Sequence, residues 1–153
     1  MKEKKTTGTL TSILKQARPQ DLDAYLEEHA DSFLGEKPFA AFMHGILAKK
    51  ELKQREVFLA ADIPEGYGYK LLSEEKHTRQ RDLIIRLCLA SRMDLKEAER
   101  ALQLSGMPAL YAKDPRDAVF VIALNRGVYG IDAVDEMLSS HGLERLQTCG
   151  RQD

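Results

Sequence analysis

The stretch QREVFLAADIPEGYGYKLL, residues 54–72, decides the fold. Its first eight residues place apolar side chains three and four positions apart, which puts them on one side of a helix. These are Val57, Phe58 and Ala61. The following DIPEG, residues 62–66, contains a proline and a glycine, and this combination breaks a helix. A second apolar face follows, formed by Tyr67, Leu71 and Leu72. The stretch therefore predicts two short helices joined by a tight turn.

Helix signals continue on both sides of this stretch. Residues 1–17 are predicted to form a polar, partly ordered lead-in, and Pro19 suits the first turn of a helix. Downstream, Asp94 and Glu97 have the spacing of a capping box, and Asp114 precedes a proline as an N-cap does. The predicted helices span about residues 19–29, 38–50, 54–61, 66–74, 81–91, 94–105, 115–126 and 131–141. With residues 147–153 predicted to be frayed and no hairpin signal, the fold class is all-α.

Length and composition favour an ordinary globular chain. The 153 residues are 43% hydrophobic and 31% charged, with a net charge of −1. No apolar run reaches the roughly 18 residues that a transmembrane helix needs, and Thr6 to Leu14 lacks the apolar region of a signal peptide. We therefore expect a cytoplasmic protein without a membrane partner. Cys88 lies in an apolar run and Cys149 in a polar tail, so no disulfide is expected.

The charge distribution is uneven along the chain. Residues 49–92 carry ten Lys and Arg against seven Asp and Glu, which gives this middle segment a net charge of +3. Residues 1–48 carry −1 and residues 93–153 carry −3. A basic middle between acidic flanks is compatible with a surface that faces phosphate, and also with chance.

No enzyme motif is found in the sequence. The four histidines are scattered and lack the spacing of a zinc site, and neither a glycine-rich phosphate loop nor a Gly-x-Ser-x-Gly motif occurs. Glu27, Glu28 and His29 are consecutive, so they point to different helix faces. We expect no catalytic residues, no metal and no cofactor.

The middle of the chain resembles the Cro and lambda-repressor (XRE-type) family of helix-turn-helix proteins over about Phe39–Leu104. Residues 54–61 look like the positioning helix of that family, Ile63 like the apolar residue that closes the turn, and residues 64–67 like the entry to the recognition helix. Leu71 matches its packing residue, and residues 81–89 and 94–98 resemble the fourth and fifth helices. The resemblance implies a five-helix core, residues 38–106, with an N-terminal lead-in and helix, residues 1–37, and an appended helical subdomain, residues 107–153.

Three positions depart from the family pattern. Alanine is usual where Phe58 stands, so we expect wider helix separation or a different tilt. Glycine is usual where Asp62 stands, so we expect a positive φ there or a different turn. The loop after the recognition helix has Glu74 and Glu75 in place of the usual glycine, and these are predicted to be solvated charges.

The resemblance implies a bacterial or phage transcriptional regulator that places its recognition helix in the major groove of double-stranded DNA. Lys70 would suit guanine and Glu65 a cytosine amine, whereas Lys76, Arg79 and Arg81 would contact phosphate. With so few cations a monomer is expected to bind weakly. A homodimer on two half-sites would double the contacts. The candidate DNA-binding residues are Glu65, Tyr67, Tyr69, Lys70, Ser73, Lys76, His77, Arg79 and Arg81.

Two alternatives remain open at this stage. Tyr67 also fits a core position, and Lys76, Arg79 and Arg81 also fit a solvated loop. The near-neutral charge, the acidic loop and the atypical Phe58 and Asp62 also fit a module of the same fold that binds a protein partner instead of DNA.

Overall fold

The computed structural model describes residues 7–16, 18–22 and 37–149. All of the regular structure in these residues is helical, which confirms the all-α prediction. The α-helices are α1 (Thr7–Gln16), α2 (Pro38–Lys49), α3 (Gln54–Ala61), α4 (Glu65–Leu72), α5 (Arg81–Ala90), α6 (Leu95–Leu104), α7 (Pro115–Arg126) and α8 (Ile131–Ser140). The chain divides into two compact units, Met1–Glu36 and Lys37–Asp153.

The first unit differs from the sequence prediction where it is described. Helix α1 lies in the segment predicted to be a polar lead-in, and Pro19–Asp21 forms a 3-10 turn. Arg18 precedes that turn and pairs with Asp21, with 3.3 Å between its Nε and a carboxylate oxygen. Residues 23–36 lie outside the described part of the chain, as does most of the helix predicted there.

Helix α5 is the centre of the second unit. All but the first of its ten residues are buried, including the charged Asp82 and Arg86. It packs against α3, α6 and α8, while α2 packs against α4 and α6. A helix that is apolar round most of its circumference has to be covered on several sides. The sequence prediction of a central buried helix at this position is confirmed.

The predicted caps are present. Asp94 accepts a hydrogen bond from the Glu97 amide at 2.8 Å, and the Glu97 carboxylate accepts one from the Asp94 amide at 3.0 Å. Asp114 accepts from the amides of residues 116 and 117 at the start of α7. Gly106, Gly127 and Gly142 follow α6, α7 and α8 with φ near +70°, a conformation that suits glycine.

Glu74 has a structural role that sequence reasoning missed. Its carboxylate accepts a hydrogen bond of 3.0 Å from the Ala40 amide, in the first turn of α2. The N-terminal amides of a helix have no partner within it, and the positive end of the helix dipole favours a carboxylate there. The prediction that Glu74 is a solvated charge is therefore wrong. Glu75 is exposed, as predicted.

Two reciprocal ion pairs join the first turns of α5 and α7. Arg81 binds Asp117 through two hydrogen bonds of 2.7 and 2.9 Å. Arg116 binds Asp82 in the same bidentate way, at 2.8 and 2.6 Å. Because each helix supplies one guanidinium and one carboxylate to the other, we call these four residues the Arg–Asp crossover. Through it, α7 is fixed against the helices that precede it.

The tail after α8 is held by the same part of the molecule. The Gln147 amide donates to Asp82 at 2.8 Å, and the Leu146 amide donates to Asp135 at 2.8 Å. Arg116 donates to the carbonyls of residues 144 and 145. The prediction of fraying is therefore wrong for Gln147, because its backbone is hydrogen-bonded to a buried carboxylate.

The crossover predicts how stability depends on pH. Burial alone would raise the pKa of Asp82 and of Asp117, but hydrogen bonds from Arg116 and Gln147, and from Arg81 and Tyr111, outweigh it and hold both pKa values below the ordinary value. A carboxyl whose pKa is lower in the folded state stabilises the fold above the unfolded pKa. We expect the free energy of unfolding to change little down to pH of about 5 and to fall steeply below about 4.

Urea titrations at a series of pH values check this expectation. In the double variant Asp82→Asn/Asp117→Asn the acid-dependent loss is expected to shrink, although the protein is less stable at pH 7. An unchanged pH profile in that variant would show that other carboxyls cause the acid sensitivity.

Among the described residues, no helix combines the length and the apolar character needed to cross a membrane.

Candidate nucleic-acid interface

Three residues connect α3 to α4, and the first of them makes the sharp turn. Asp62 adopts φ 56° and ψ 49°, the left-handed conformation expected at this position. Its amide donates to the Leu59 carbonyl, and the Ile63 amide donates to the Phe58 carbonyl at 3.0 Å. Asp tolerates this conformation better than most residues do. Ile63 is buried, so the chain is anchored to the core immediately before α4 begins.

Phe58 fits between the two helices because Gly68 lies opposite it. A Cβ atom added to Gly68 would lie 2.5 Å from the Phe58 ring, far inside van der Waals contact. The ring is buried, and the ring of Tyr69 meets it edge-on with centroids 5.0 Å apart. The absence of a side chain on α4 thus compensates for the large side chain on α3. The wider helix separation or different tilt expected from Phe58 stays a prediction, whereas the close contact at Gly68 shows how the ring is accommodated.

Helix α4 has one buried and one exposed face. Tyr67, Leu71 and Leu72 are buried, as their helical spacing predicts, and Gly68 is buried as well. Glu65, Tyr69 and Lys70 are exposed, and Tyr69 keeps 42% of its surface accessible. Gly66 lies between them with open space around it. The exposed face therefore carries one acidic, one aromatic and one basic side chain.

Tyr69 is held in place from two sides. Its hydroxyl donates a hydrogen bond of 3.1 Å to Glu65, four residues earlier on the same helix. That hydrogen bond raises the pKa of Tyr69, because it favours the protonated phenol. Together with the Phe58 contact, it fixes the aromatic ring on the exposed face and orients the Glu65 carboxylate.

Two of the nine predicted residues are not available to a duplex. Tyr67 is 6% exposed and packs in the core, so its ring cannot reach a base. Arg81 uses its guanidinium inside the protein: besides Asp117, it donates to the carbonyls of Pro108 and Ala109. The DNA-contacting roles predicted for Tyr67 and Arg81 do not fit these positions. Tyr67 has the core position that its spacing also suggested.

The predicted residues that follow Lys70 lie at and beyond the C-terminal end of α4. Ser73 is partly buried, and its hydroxyl donates to the Lys70 carbonyl at 3.2 Å. Lys76 is also partly buried, and its amide donates to that same carbonyl. His77 and Arg79 are exposed. Lys70, His77 and Arg79 are thus the exposed basic groups of the predicted set.

The same surface includes two residues that the sequence prediction left out. Arg55 lies in the first turn of α3, is exposed, and is close enough to Tyr69 to favour its ionised form. Leu59 lies one turn later on α3 and is 84% exposed. Their positions opposite the buried Val57, Phe58 and Ala61 on α3 would have identified both of them. Leu59 gives this surface one large exposed apolar side chain.

A groove of about 290 Å³ lies beside the turn. Leu59, Asp62 and Pro64 form one side, and Thr148 and Cys149 of the tail form the other. The tail therefore runs past the point where α4 begins. Sequence reasoning could not place it there, because nothing near residue 148 in the sequence signals a contact with residue 64.

Two further features of the described residues are the lack of a candidate metal cluster and a buried thiol. No group of three or more His, Cys, Asp or Glu side chains could hold a metal ion among them. Burial raises the pKa of the Cys88 thiol to about 12, which makes it an inert core group.

A comparison of the chain with protein-family models, with curated proteins and with solved structures finds no match to any of them.

Proposed function

We propose that this chain is a DNA-binding transcriptional regulator in which α3, the turn and α4 act as a helix-turn-helix. Helix α4 enters the major groove, and α3 crosses the phosphate backbone at the edge of that groove. The observation that carries the proposal is the orientation of α4. Its buried face is anchored through Tyr67, Leu71 and Leu72, so Glu65, Tyr69 and Lys70 project outward from a fixed support.

The exposed side chains suit distinct parts of a duplex. Lys70 would donate to the acceptor edge of guanine, and Glu65 would accept from the amine of cytosine. Arg55 and Arg79 would bind phosphates on either side, giving affinity and salt dependence without sequence choice. The ring of Tyr69 would contact the apolar part of a base edge, such as a thymine methyl group.

The modest number of cations on this surface favours a dimer. Glu65, Asp62 and Glu75 are exposed and acidic, so they oppose part of the attraction to phosphate. Two copies on two half-sites would double the phosphate and base contacts. The same argument explains why a single copy would bind weakly at physiological salt.

Replacing Lys70 with alanine tests the proposal most directly. Lys70 is exposed, and alanine is a good helix former, so the fold is expected to survive. We expect Lys70→Ala to weaken binding to a selected duplex about 5- to 150-fold, the effect of one base contact. Arg79→Ala should weaken binding to all duplexes alike and make the salt dependence shallower by about one unit. Fluorescence anisotropy with duplexes enriched from random sequence measures both effects.

Lys113→Ala is the matched control, since Lys113 is an exposed lysine in the loop before α7. Its affinity should equal that of the unchanged protein. If the folded protein retains no duplex even at about 50 mM salt, where phosphate contacts are strongest, the proposal is wrong.

Binding of a protein partner is the second candidate function, and Leu59 is the observation that favours it. Leu59 is 84% exposed and lines the groove beside the turn, so it offers a partner an apolar contact next to a concave surface. An open groove of about 690 Å³ between α2 and α6, lined in part by Phe42 and Met107, adds apolar surface elsewhere. A partner recovered with the unchanged protein but lost from Leu59→Ser would favour this function, provided that no nucleic acid accompanies it.

A further inference from the structure

A charged side chain lies buried behind the turn. Arg86 is 2% exposed, and its guanidinium donates to three backbone carbonyls: Ala61 at 3.1 Å, Leu146 at 3.1 Å and Gln147 at 2.7 Å. No carboxylate of the described residues forms an ion pair with it. Its charge is therefore balanced by carbonyl dipoles, one of which belongs to the last residue of α3.

The three carbonyls belong to two separate pieces of chain. Ala61 ends α3 and immediately precedes the left-handed residue Asp62, so its carbonyl has no partner within the helix. A cation at the negative end of a helix dipole is favourable there. Residues 146 and 147 belong to the tail, and the next two residues form one side of the groove beside Pro64. Arg86 thus joins the end of α3 to the segment that flanks the start of α4.

Stability alone does not require this arrangement. Removing a guanidinium from water is costly, and an apolar side chain of similar volume often stabilises a buried site as well or better. Three directed hydrogen bonds fix the relative positions of the three carbonyls, because all three bonds form only in one arrangement of those groups. The carbonyl of Ala61 is one residue from the turn that sets the direction of α4.

We propose that Arg86 is a positioning residue for the DNA-contacting helix and that the tail, residues 144–149, is part of the DNA-binding unit. This inference rests on the proposed function. Arg86 holds Ala61 and the tail together, so the turn keeps one conformation and α4 projects at one angle. When that link is lost, α4 samples several angles, and the base contacts weaken more than the phosphate contacts do.

Three variants test the inference: Arg86→Met, Arg86→Lys, and a chain truncated after Arg145. The readout is the ratio of affinities for a selected and a random duplex, measured at a temperature where circular dichroism shows each variant folded. We expect Arg86→Met and the truncation to lower this ratio at least tenfold while keeping low-salt binding to random duplex. Arg86→Lys keeps the charge and part of the hydrogen bonding, so its ratio should lie in between.

Leu138→Ala is the control for a merely structural effect. Leu138 is fully buried in α8, which packs against α5 and α7, so this variant loses stability without touching Arg86. Its affinity ratio should be unchanged. A ratio that is equally lowered in Leu138→Ala, or unaltered in Arg86→Met and the truncation, would overturn the inference. Should Arg86→Met fail to fold, Arg86→Lys and the truncation decide.

Hydrogen exchange separates this inference from the proposed function. Faster amide exchange at Asp62 and Ile63 in Arg86→Lys and in the truncated chain, but not in Leu138→Ala, is the expected result without any DNA. If the protein shows this exchange pattern but binds no duplex, Arg86 positions the turn as inferred. Only the proposed DNA-binding function is then wrong. Exchange at the turn that is unchanged in both variants contradicts the positioning role.

Discussion

Replacing Arg116 with methionine should lower the free energy of unfolding by about 3–5 kcal/mol, the cost of removing one partner from a buried ion pair. The change leaves the Asp82 carboxylate buried without the two hydrogen bonds that it now accepts from the guanidinium. It also removes the donors to the carbonyls of residues 144 and 145, and a guanidinium placed 5.3 Å from the Phe120 ring centroid. Urea denaturation followed by circular dichroism measures the loss.

Arg126→Met provides the matched control, because Arg126 is exposed in the last turn of the same helix. Its effect should stay within about 0.5 kcal/mol. The double variant Asp82→Leu/Arg116→Met should recover part of the loss, since no uncompensated charge remains buried. If Arg116→Met costs no more than Arg126→Met, the crossover does not hold α7 to α5 in solution.

Gly68→Ala and Phe58→Ala should each be strongly destabilising alone and partly compensate each other when combined. Phe58→Ala empties the space of a buried ring and should cost about 3–5 kcal/mol. Gly68→Ala forces a methyl group against that ring, 2.5 Å away, and should cost about 1–3 kcal/mol although alanine favours helices. Once Phe58 is alanine, the added methyl group has room, so Gly68→Ala should become neutral or stabilising.

A double-mutant cycle from urea denaturation gives the interaction energy between the two positions. Gly66→Ala is the control, because Gly66 is two residues away on the same helix and a Cβ there meets nothing within 4 Å. That change should stabilise the protein by up to about 1 kcal/mol. Additive effects of the Phe58 and Gly68 substitutions would show that the two helices do not meet as closely as described.

Most of the helices in the second unit could be predicted because their signals are local. Asp94 with Glu97 and Asp114 before Pro115 mark helix starts within four residues of sequence, and the glycines after α6, α7 and α8 mark their ends. Helix α1 was missed although Leu10, Ile13 and Leu14 have helical spacing, because the segment around them was interpreted as a polar lead-in. For Asp62 the sequence left a positive φ or a different turn open, and the structure has the positive φ.

The candidate site was harder to predict, because its composition depends on long-range contacts. The exposed face of α4 follows from helical spacing, which also places Tyr67 inside. Arg81 could not be excluded from sequence, since its partner Asp117 is 36 residues later. The contact between Phe58 and Gly68 had a usable signal, a large residue on one helix and a missing side chain on the next. Arg86 had none, because its acceptors are backbone carbonyls from two distant segments.

The Arg–Asp crossover also limits how this chain could be recombined with others. A fragment ending at Gly106 would contain Arg81, Asp82 and Arg86. It would lack the residues after Gly106 to which these three side chains bind. Two guanidinium groups and a carboxylate would then lie on a newly uncovered surface. Residues 107–149 are therefore an integral part of the fold that contains α5, and they are not a separable addition to it. An exchange of the C-terminal half between proteins would succeed only if both Arg-Asp dipeptides were inherited together.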